Sequence, residues 1–426
     1  MLLAACGSTQ TGGTGGTGGQ GTGGSSATGG TTGTGGSNSS GGTTGTGGSS
    51  TGGGTGTGGA ATGGSVGAGG MSGAGGHGPG GSGAAGSVGT GGSAGGSTGF
   101  VPYTCPTGMS APTSVPAGSG ATRITGAPPS DAFNNSGNDF TNVEGPVWIG
   151  NALYFSEMLG NPNPPPARIL KIDSSDTVSM FYPASGAGGD SGSNGLAVDR
   201  QGHLLSANHA VGGIVAFDVS TQTKISPPVI SSYNGKRFDS PNDLTVRSDG
   251  TIYFTDPSFQ APSPAPQSVT GVYMVPPGSS TATQILSSLS NPNGVALSLD
   301  EHTLYVGHGG GVYSYPVNSD GTIGMTATHV DASTLDNNAT DGMAVDCAGD
   351  LYVVRVNQKD IDVVSFGSNP GGAGTHLGSI TNVPGNGQLT NIAFGGSDHK
   401  TLYITAQGSG TQRGVFKLAM PIAGMP

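Results

Sequence analysis

No Lys, Arg, Asp or Glu occurs in the first 100 residues of this chain, and only 9% of its 426 residues are charged. Residues 7–99 are almost entirely Gly, Thr, Ser and Ala. Such a segment buries too little apolar surface to offset its ordering entropy, so a disordered linker is expected there. Proline is nearly absent from it and the glycines keep no triplet period, which excludes a collagen helix. Basic residues are scarce throughout: 13 Lys and Arg against 24 Asp and Glu leave a net charge of −11. A phosphate-binding face, and with it a nucleic-acid partner, is therefore not expected. No apolar run approaches membrane-spanning length, so any membrane attachment has to come through a lipid. The three cysteines, Cys6, Cys105 and Cys347, form no Cys-x-x-Cys pair. Beyond residue 100 there is neither a Gly-x-Ser-x-Gly elbow nor a Walker sequence, which removes the commonest serine-hydrolase and nucleotide signatures.

What is present is a repeat. Six times the chain writes a polar residue, a short apolar run, a tight turn and a second apolar run. The second runs start at Leu153, Leu204, Ile252, Leu304, Leu351 and Leu402. A period of about 50 residues built from short strands predicts a β-propeller, and six copies predict six blades. Turns such as Asp199-Arg200-Gln201-Gly202 and Arg247-Ser248-Asp249-Gly250 join the first and second runs as hairpins. The fold class is thus all-β, a six-bladed propeller over residues 100–426 preceded by the linker. After the last copy only three strands remain, and the alternating stretch at residues 121–126 is expected to add the missing outer strand. On that reading the linker meets the propeller at its rim.

The same alignment places Glu144, Asn194, Asn242, Asn293, Asp341 and Asn391 at one position of the first strand. First strands line a propeller's channel, so these six residues are expected to form a ring of side-chain oxygens around the axis. Asn and Asp also begin strands by closing turns on their own backbone, a reading that suits one position better than six in register. Two carboxylates and four amides, with no nitrogen or sulfur donor preferred, suit a hard cation. Calcium, which takes six to eight oxygens in flexible geometry, fits best, with another divalent cation as the alternative. The loops between second and third strands reach the same mouth. They carry Ser156, Glu157, Asn208, His209, Asp256 with Pro257, Ser258 and Phe259, His308, Arg355 and Gln407 as candidate substrate contacts. Pro-rich insertions at residues 161–166 and 261–267 lie at that mouth too. His203, His302 and His399 fall in turns at the opposite face and are read as solvated.

Leu3-Ala4-Ala5-Cys6 resembles a bacterial lipobox standing directly before the linker. A working signal needs a longer apolar region, so the true start is expected upstream of Met1, with residues 1–6 a signal remnant and Cys6 lipidated. The protein is then expected on the cell envelope, at the outer membrane or facing the periplasm, and as a monomer. In such an oxidising compartment Cys105 and Cys347 either bridge or stay separate thiols; their spacing favours neither.

The segments EGPVW from Glu144, SNGLAV from Ser193, SPNDLTV from Ser240, IYFTDP from Ile252, NPNGVAL from Asn291, DGMAVD from Asp341 and TNIAFGG from Thr390 occur in order over about residues 130–420. As a set they resemble the gluconolactonase and senescence-marker-protein (regucalcin-like) family of six-bladed, metal-dependent hydrolases. The resemblance implies that Glu144, Asn242, Asn293 and Asp341 lie at or beside the metal, with Asn242 also serving substrate or water. It implies a general-base role for Asp341, and it matches His209 to a histidine of the bacterial branch, although Asn208 stands where that branch has Glu. The expected activity is calcium-dependent opening of a sugar-acid lactone or related cyclic ester, with Asp341, His209 and Asp256 as catalytic candidates and Asn194, Asn242 and His209 as substrate contacts. A carboxylate or imidazole is needed in any case, because calcium is too weak a Lewis acid to ionise bound water at neutral pH. Two other readings share the same site: a phosphotriesterase-type hydrolase, and a propeller whose metal only braces a binding module.

Overall fold

The computed structural model describes residues 100–130, 139–159, 164–184 and 192–426. Cys6, the 7–99 linker and residues 161–163 of the first Pro-rich insertion lie outside the described residues. Among those described, six four-stranded antiparallel sheets account for every named strand. No helix among the described residues is long and apolar enough to cross a membrane.

Each sheet is one blade of a six-bladed β-propeller. The inner strands are Asn142–Ile149, Ser193–Val198, Leu244–Val246, Val295–Leu297, Thr340–Val345 and Gln388–Gly395. They touch one another in turn, and the last touches the first, which closes the ring. The second strands, Ala152–Met158, Leu204–Asn208, Ile252–Asp256, Thr303–His308, Leu351–Arg355 and Thr401–Gln407, hold the apolar runs that mark the repeat, Leu-Tyr or Ile-Tyr in five blades and Leu204-Leu205 in blade two. Those runs are apolar at successive positions because each blade is packed on both faces. Side chains alternate across a strand, so Leu153 and Phe155 enter the layer between blades six and one, while Tyr154 enters the layer between blades one and two. The core is accordingly divided into six apolar layers, one at each blade boundary.

The sixth blade is completed from the other end of the domain. Thr122–Arg123 pairs antiparallel with the third strand Gly414–Ala419, Thr122 opposite Lys417 and Arg123 opposite Phe416. Flanking Ala121 and Ile124 are buried, and the Ile124 amide donates to the Val415 carbonyl at 2.9 Å.

The chain does not join the propeller at the rim, as the outer strand alone suggested. Residues 100–109 run across the rear mouth, the end where inner strands finish and turn into second strands. Phe100 lies against Gly202 in the blade-two turn, and Tyr103 stacks on His399 in the blade-six turn at 3.6 Å between ring centroids. Cys105 forms a disulfide with Cys347 in the blade-five turn, with Cα atoms 5.3 Å apart. The C-terminus meets the same turn, where Met425 donates to the Val345 carbonyl and Cys347 to that of Ala423. His399 is therefore a packed residue under the strap rather than a solvated one, while His302 remains 71% exposed. Between strap and inner strands lies a chamber of about 930 Å³. A bridge across 242 residues restricts the unfolded chain strongly, so Cys105→Ser is expected to lower stability by about 2–5 kcal/mol. Urea titration of the two oxidised proteins measures this, and an unchanged midpoint counts against the bridge.

Candidate active site

The six ring residues stand at the front of the inner strands, and the local backbone explains how they are aimed. A β-bulge interrupts the inner pairing at Glu144–Val147, Ser193–Leu196, Thr340–Met343 and Leu389–Ile392, so Asn194, Asp341 and Asn391 lie within it and Glu144, paired with Ser156, immediately precedes it. An extra residue in one strand turns its side chain out of the regular alternation, here toward the axis. In blades three and four the strand starts later, and Asn242 and Asn293 precede it. Four ring residues are followed by glycine for a steric reason. A Cβ on Gly145 would strike the Asn194 backbone, and one on Gly342 would strike the Asn391 side chain. Successive inner strands can approach this closely only without a side chain there. All six ring residues are buried, with exposures between 2 and 9%.

Blade three breaks the glycine rule, and the exception is chemical. Asp243 occupies the position that Gly145, Gly195, Gly294 and Gly342 hold elsewhere, and it adds a third carboxylate to the channel. It accepts the Leu244 amide at 2.9 Å, faces the Val295 amide at 3.4 Å, and takes a hydrogen bond from the Asn391 side chain. Burial pushes its pKa up to about 7. Reading the ring position alone misses this residue, yet an Asn-Asp where four of the other five copies write Glu-Gly, Asn-Gly or Asp-Gly was a visible signal.

The electrostatics of the ring are those of a site short of positive charge. Burial raises the Glu144 carboxyl well above its usual range, repulsion from Asp341 and Asp243 adds to the rise, and the Gly145 amide opposes it. Asp341 is raised likewise, by burial and then by Asp243, against a hydrogen bond from the Asn293 side chain. Among the described residues, no Lys, Arg or His is one of the groups acting on any of the three. Buried carboxylates are ordinarily paired or bound to a cation. No set of three or more His, Cys, Asp or Glu side chains among the described residues is gathered closely enough to hold a metal alone. A cation here would have to draw on Glu144 and Asp341 with the amide oxygens of Asn242 and Asn293, an oxygen-only set whose chemistry suits calcium. Asn391 is engaged by Asp243 and by its own neighbour, the Ile392 amide at 2.8 Å.

The loop residues divide into engaged and available groups. Glu157 and Arg168 form an ion pair at 2.7 Å with no exposure on either side, and Glu157 also accepts the Thr141 amide. Arg355 is held by Asp360 at 2.9 and 2.7 Å. His308 stacks on Tyr313 at 5.1 Å and accepts the Gly310 amide. Asp256, fully buried, accepts the Ser240 amide at 2.7 Å and the Asp239 amide at 3.0 Å; both oxygens thus hold the turn that leads to Asn242. Burial brings its pKa up to about 7. His209 is buried, its Nε2 2.7 Å from the Pro165 carbonyl. Burial lowers its pKa to about 4, so the imidazole is neutral. With the proton on Nε2, Nδ1 carries a lone pair, and that atom has no hydrogen-bond partner among the described residues.

Comparison with known proteins adds independent support for the fold and its lineage. Residues 143–408 match the family model described as SMP-30/Gluconolactonase/LRE-like region. A gluconolactonase of Zymomonas mobilis is 33% identical over 294 residues, which are 62% of this chain and 75% of that protein. A lactonase drp35 of Staphylococcus haemolyticus is 32% identical over 120 residues, 28% of this chain and 36% of the relative. Among solved structures, a gluconolactonase of Xanthomonas campestris superposes with a TM-score of 0.52 at 26% identity, covering 66% of this chain and 87% of that one. The calcium-binding protein regucalcin of Agrobacterium tumefaciens shares the fold, with a TM-score of 0.53 at 18% identity over 67% of this chain and 92% of its own. With the six blades, the ordered motifs and a family match over more than half its length, the chain belongs to the SMP-30/gluconolactonase/LRE-like family.

Proposed function

We propose that this protein is a calcium-dependent hydrolase that opens a lactone ring, most simply that of a sugar acid. The observation that carries the reading is the burial of Glu144, Asp243 and Asp341 together in the channel without a basic side chain to compensate them. The lactonase and gluconolactonase names of its relatives support the reaction class. Glu144, Asn242, Asn293 and Asp341 would hold the cation, which when bound supplies electrophilic polarisation of the lactone carbonyl and stabilisation of the oxyanion. Asp341 takes a proton from the attacking water as its oxygen bonds to the carbonyl carbon. The ring C–O bond then breaks, and the proton passes to the departing alkoxide oxygen. Asn194 and Asn242 orient substrate and water by their amides. The His209 Nδ1 lone pair accepts from a substrate hydroxyl, while Asp256 keeps the Asn242 turn in place.

Glucono-1,5-lactone hydrolysis followed by acid release tests this directly. Exhaustive chelation is expected to remove turnover, and calcium to restore it more fully than magnesium, which demands a tighter octahedral shell than a ring spread over several blades provides. Full activity after chelation, or no lactone turned over with calcium present, overturns the proposal.

A further inference from the structure

Second strands carry a hydroxyl near their front end in several blades, and in blade three that hydroxyl lies between the peptide joining Asn242 to Asp243 and the backbone of Asn293. Thr255 is fully buried. Its backbone carbonyl accepts the Asn242 amide at 2.9 Å, and its own amide donates to the Asp243 carbonyl at 2.9 Å. Its side-chain oxygen accepts the Asp243 amide at 3.1 Å and donates its one proton to the Asn293 carbonyl of blade four at 2.7 Å. A threonine hydroxyl has a single proton and two lone pairs, so this one group joins ring positions on adjacent blades as acceptor on one side and donor on the other. The Asn293 side chain in turn bonds Asp341. A continuous path therefore runs from Asn242 and Asp243 through Thr255 to Asn293 and Asp341. No regular strand pairing spans that gap, because the ladders of blades three and four begin only at Leu244 and Val295.

Side-chain hydroxyls also reach carbonyls across other blade boundaries. The Ser156 hydroxyl donates to the Asn194 carbonyl at 2.6 Å, and that of Thr390 donates to the Val143 carbonyl, next to Glu144, at 2.7 Å. Thr255 differs in that its hydroxyl ties the Asn242–Asp243 peptide to Asn293, so that it links the backbones of two residues of the proposed cation set.

We infer that Thr255 is a positioning residue for the cation site, setting the separation of Asn242 and Asn293 through the hydroxyl it shares between blades. The inference rests on the cation reading of the preceding subsection. It assigns Thr255 no contact with substrate. A hydroxyl needed only for blade packing would affect folding and leave the affinity of the folded protein for calcium unchanged.

The test compares Thr255→Val, which keeps the shape and removes both hydrogen bonds, with Thr255→Ser, which keeps both. Calcium is titrated into the chelated proteins by calorimetry, and melting temperatures are recorded without and with calcium. Thr255→Val is expected to weaken calcium binding about tenfold or more, the size of one buried hydrogen-bonded link, and to reduce the calcium-induced rise in melting temperature. Thr255→Ser is expected to stay within about threefold of the natural protein. Should the valine variant not fold, Thr255→Ala, which relieves packing at the same site, takes its place in the titration. Equal affinity in the valine or alanine variant, or a serine variant as weak as valine, overturns the inference alone. A natural protein that takes up no calcium overturns the cation reading and this inference with it.

Discussion

Asp341→Asn is expected to reduce lactone turnover by about 10²–10⁴-fold at saturating calcium, the range a lost general base typically costs. The substitution keeps the side-chain shape in a site where Asp341 is buried and bonded by Asn293, so the change is one of charge. Its effect on stability has the opposite sign. The Asp341 carboxyl has a folded-state pKa well above its unfolded value, so the ionised form destabilises the cation-free fold, and this cost grows as pH rises from the unfolded toward the folded pKa. An amide removes that cost, and the chelated Asp341→Asn protein is expected to melt at a higher temperature near neutral pH than its parent. Loss of turnover together with a gain in cation-free stability distinguishes a missing base from a damaged fold. Glu144→Gln removes charge at the other carboxylate of the set. It is expected to weaken calcium affinity while leaving some turnover at saturating calcium. His203→Ala, at the rear face where His203 bonds Asp199 at 2.8 Å, is the control and should leave activity unchanged. An Asp341→Asn enzyme with full activity refutes the assignment of the base.

The second large effect concerns the N-terminal part of the propeller. A chain beginning at residue 100 is expected to melt as the full chain does, because the 7–99 segment has no charge and few apolar side chains to contribute. A chain beginning at residue 127 should lose most of its stability. It lacks the Thr122–Arg123 strand, the buried Ala121 and Ile124, the Arg123 bond to the Arg413 carbonyl at 2.9 Å, and Cys105. The disulfide alone is worth about 2–5 kcal/mol, against a total of about 5–15 kcal/mol for a typical domain. The exposed edge of Gly414–Ala419 would also present unpaired backbone groups to other molecules, so aggregation should accompany the loss. Equal melting of the two shortened chains would show that the closure at blade six is dispensable.

Several features were legible in the chain because they are written in sequence order. Six blades follow from the period, since each blade is one contiguous run of three or four strands. The inner ring follows from its register, and closure by residues 121–126 follows from the fourth strand that the last repeat lacks. Two-sided burial of every blade makes the second strands apolar at successive positions, which is why LYF, IYF and LYV could be aligned without knowledge of contacts. Other features were decided only by the tertiary structure, because they depend on residues distant in sequence or on a shift of one residue in a strand. Cys105 and Cys347 are 242 positions apart, and nothing in their spacing brings them within 5.3 Å. The strap of residues 100–109 has no periodicity to reveal that it crosses the rear mouth and covers His399. Asp256 reads as a channel carboxylate from its strand position, and only the folded turn shows both its oxygens holding Asp239 and Ser240. Asp243, one residue beyond the position the alignment singled out, is marked in the chain by its Asn-Asp pair, but only proximity in the fold shows it acting on Glu144 and Asp341. Sequence thus determined which polar groups reach the channel's end, through local patterning that repeats along the chain; tertiary structure decided which of them are already satisfied, because a hydrogen-bond partner is a matter of proximity in space.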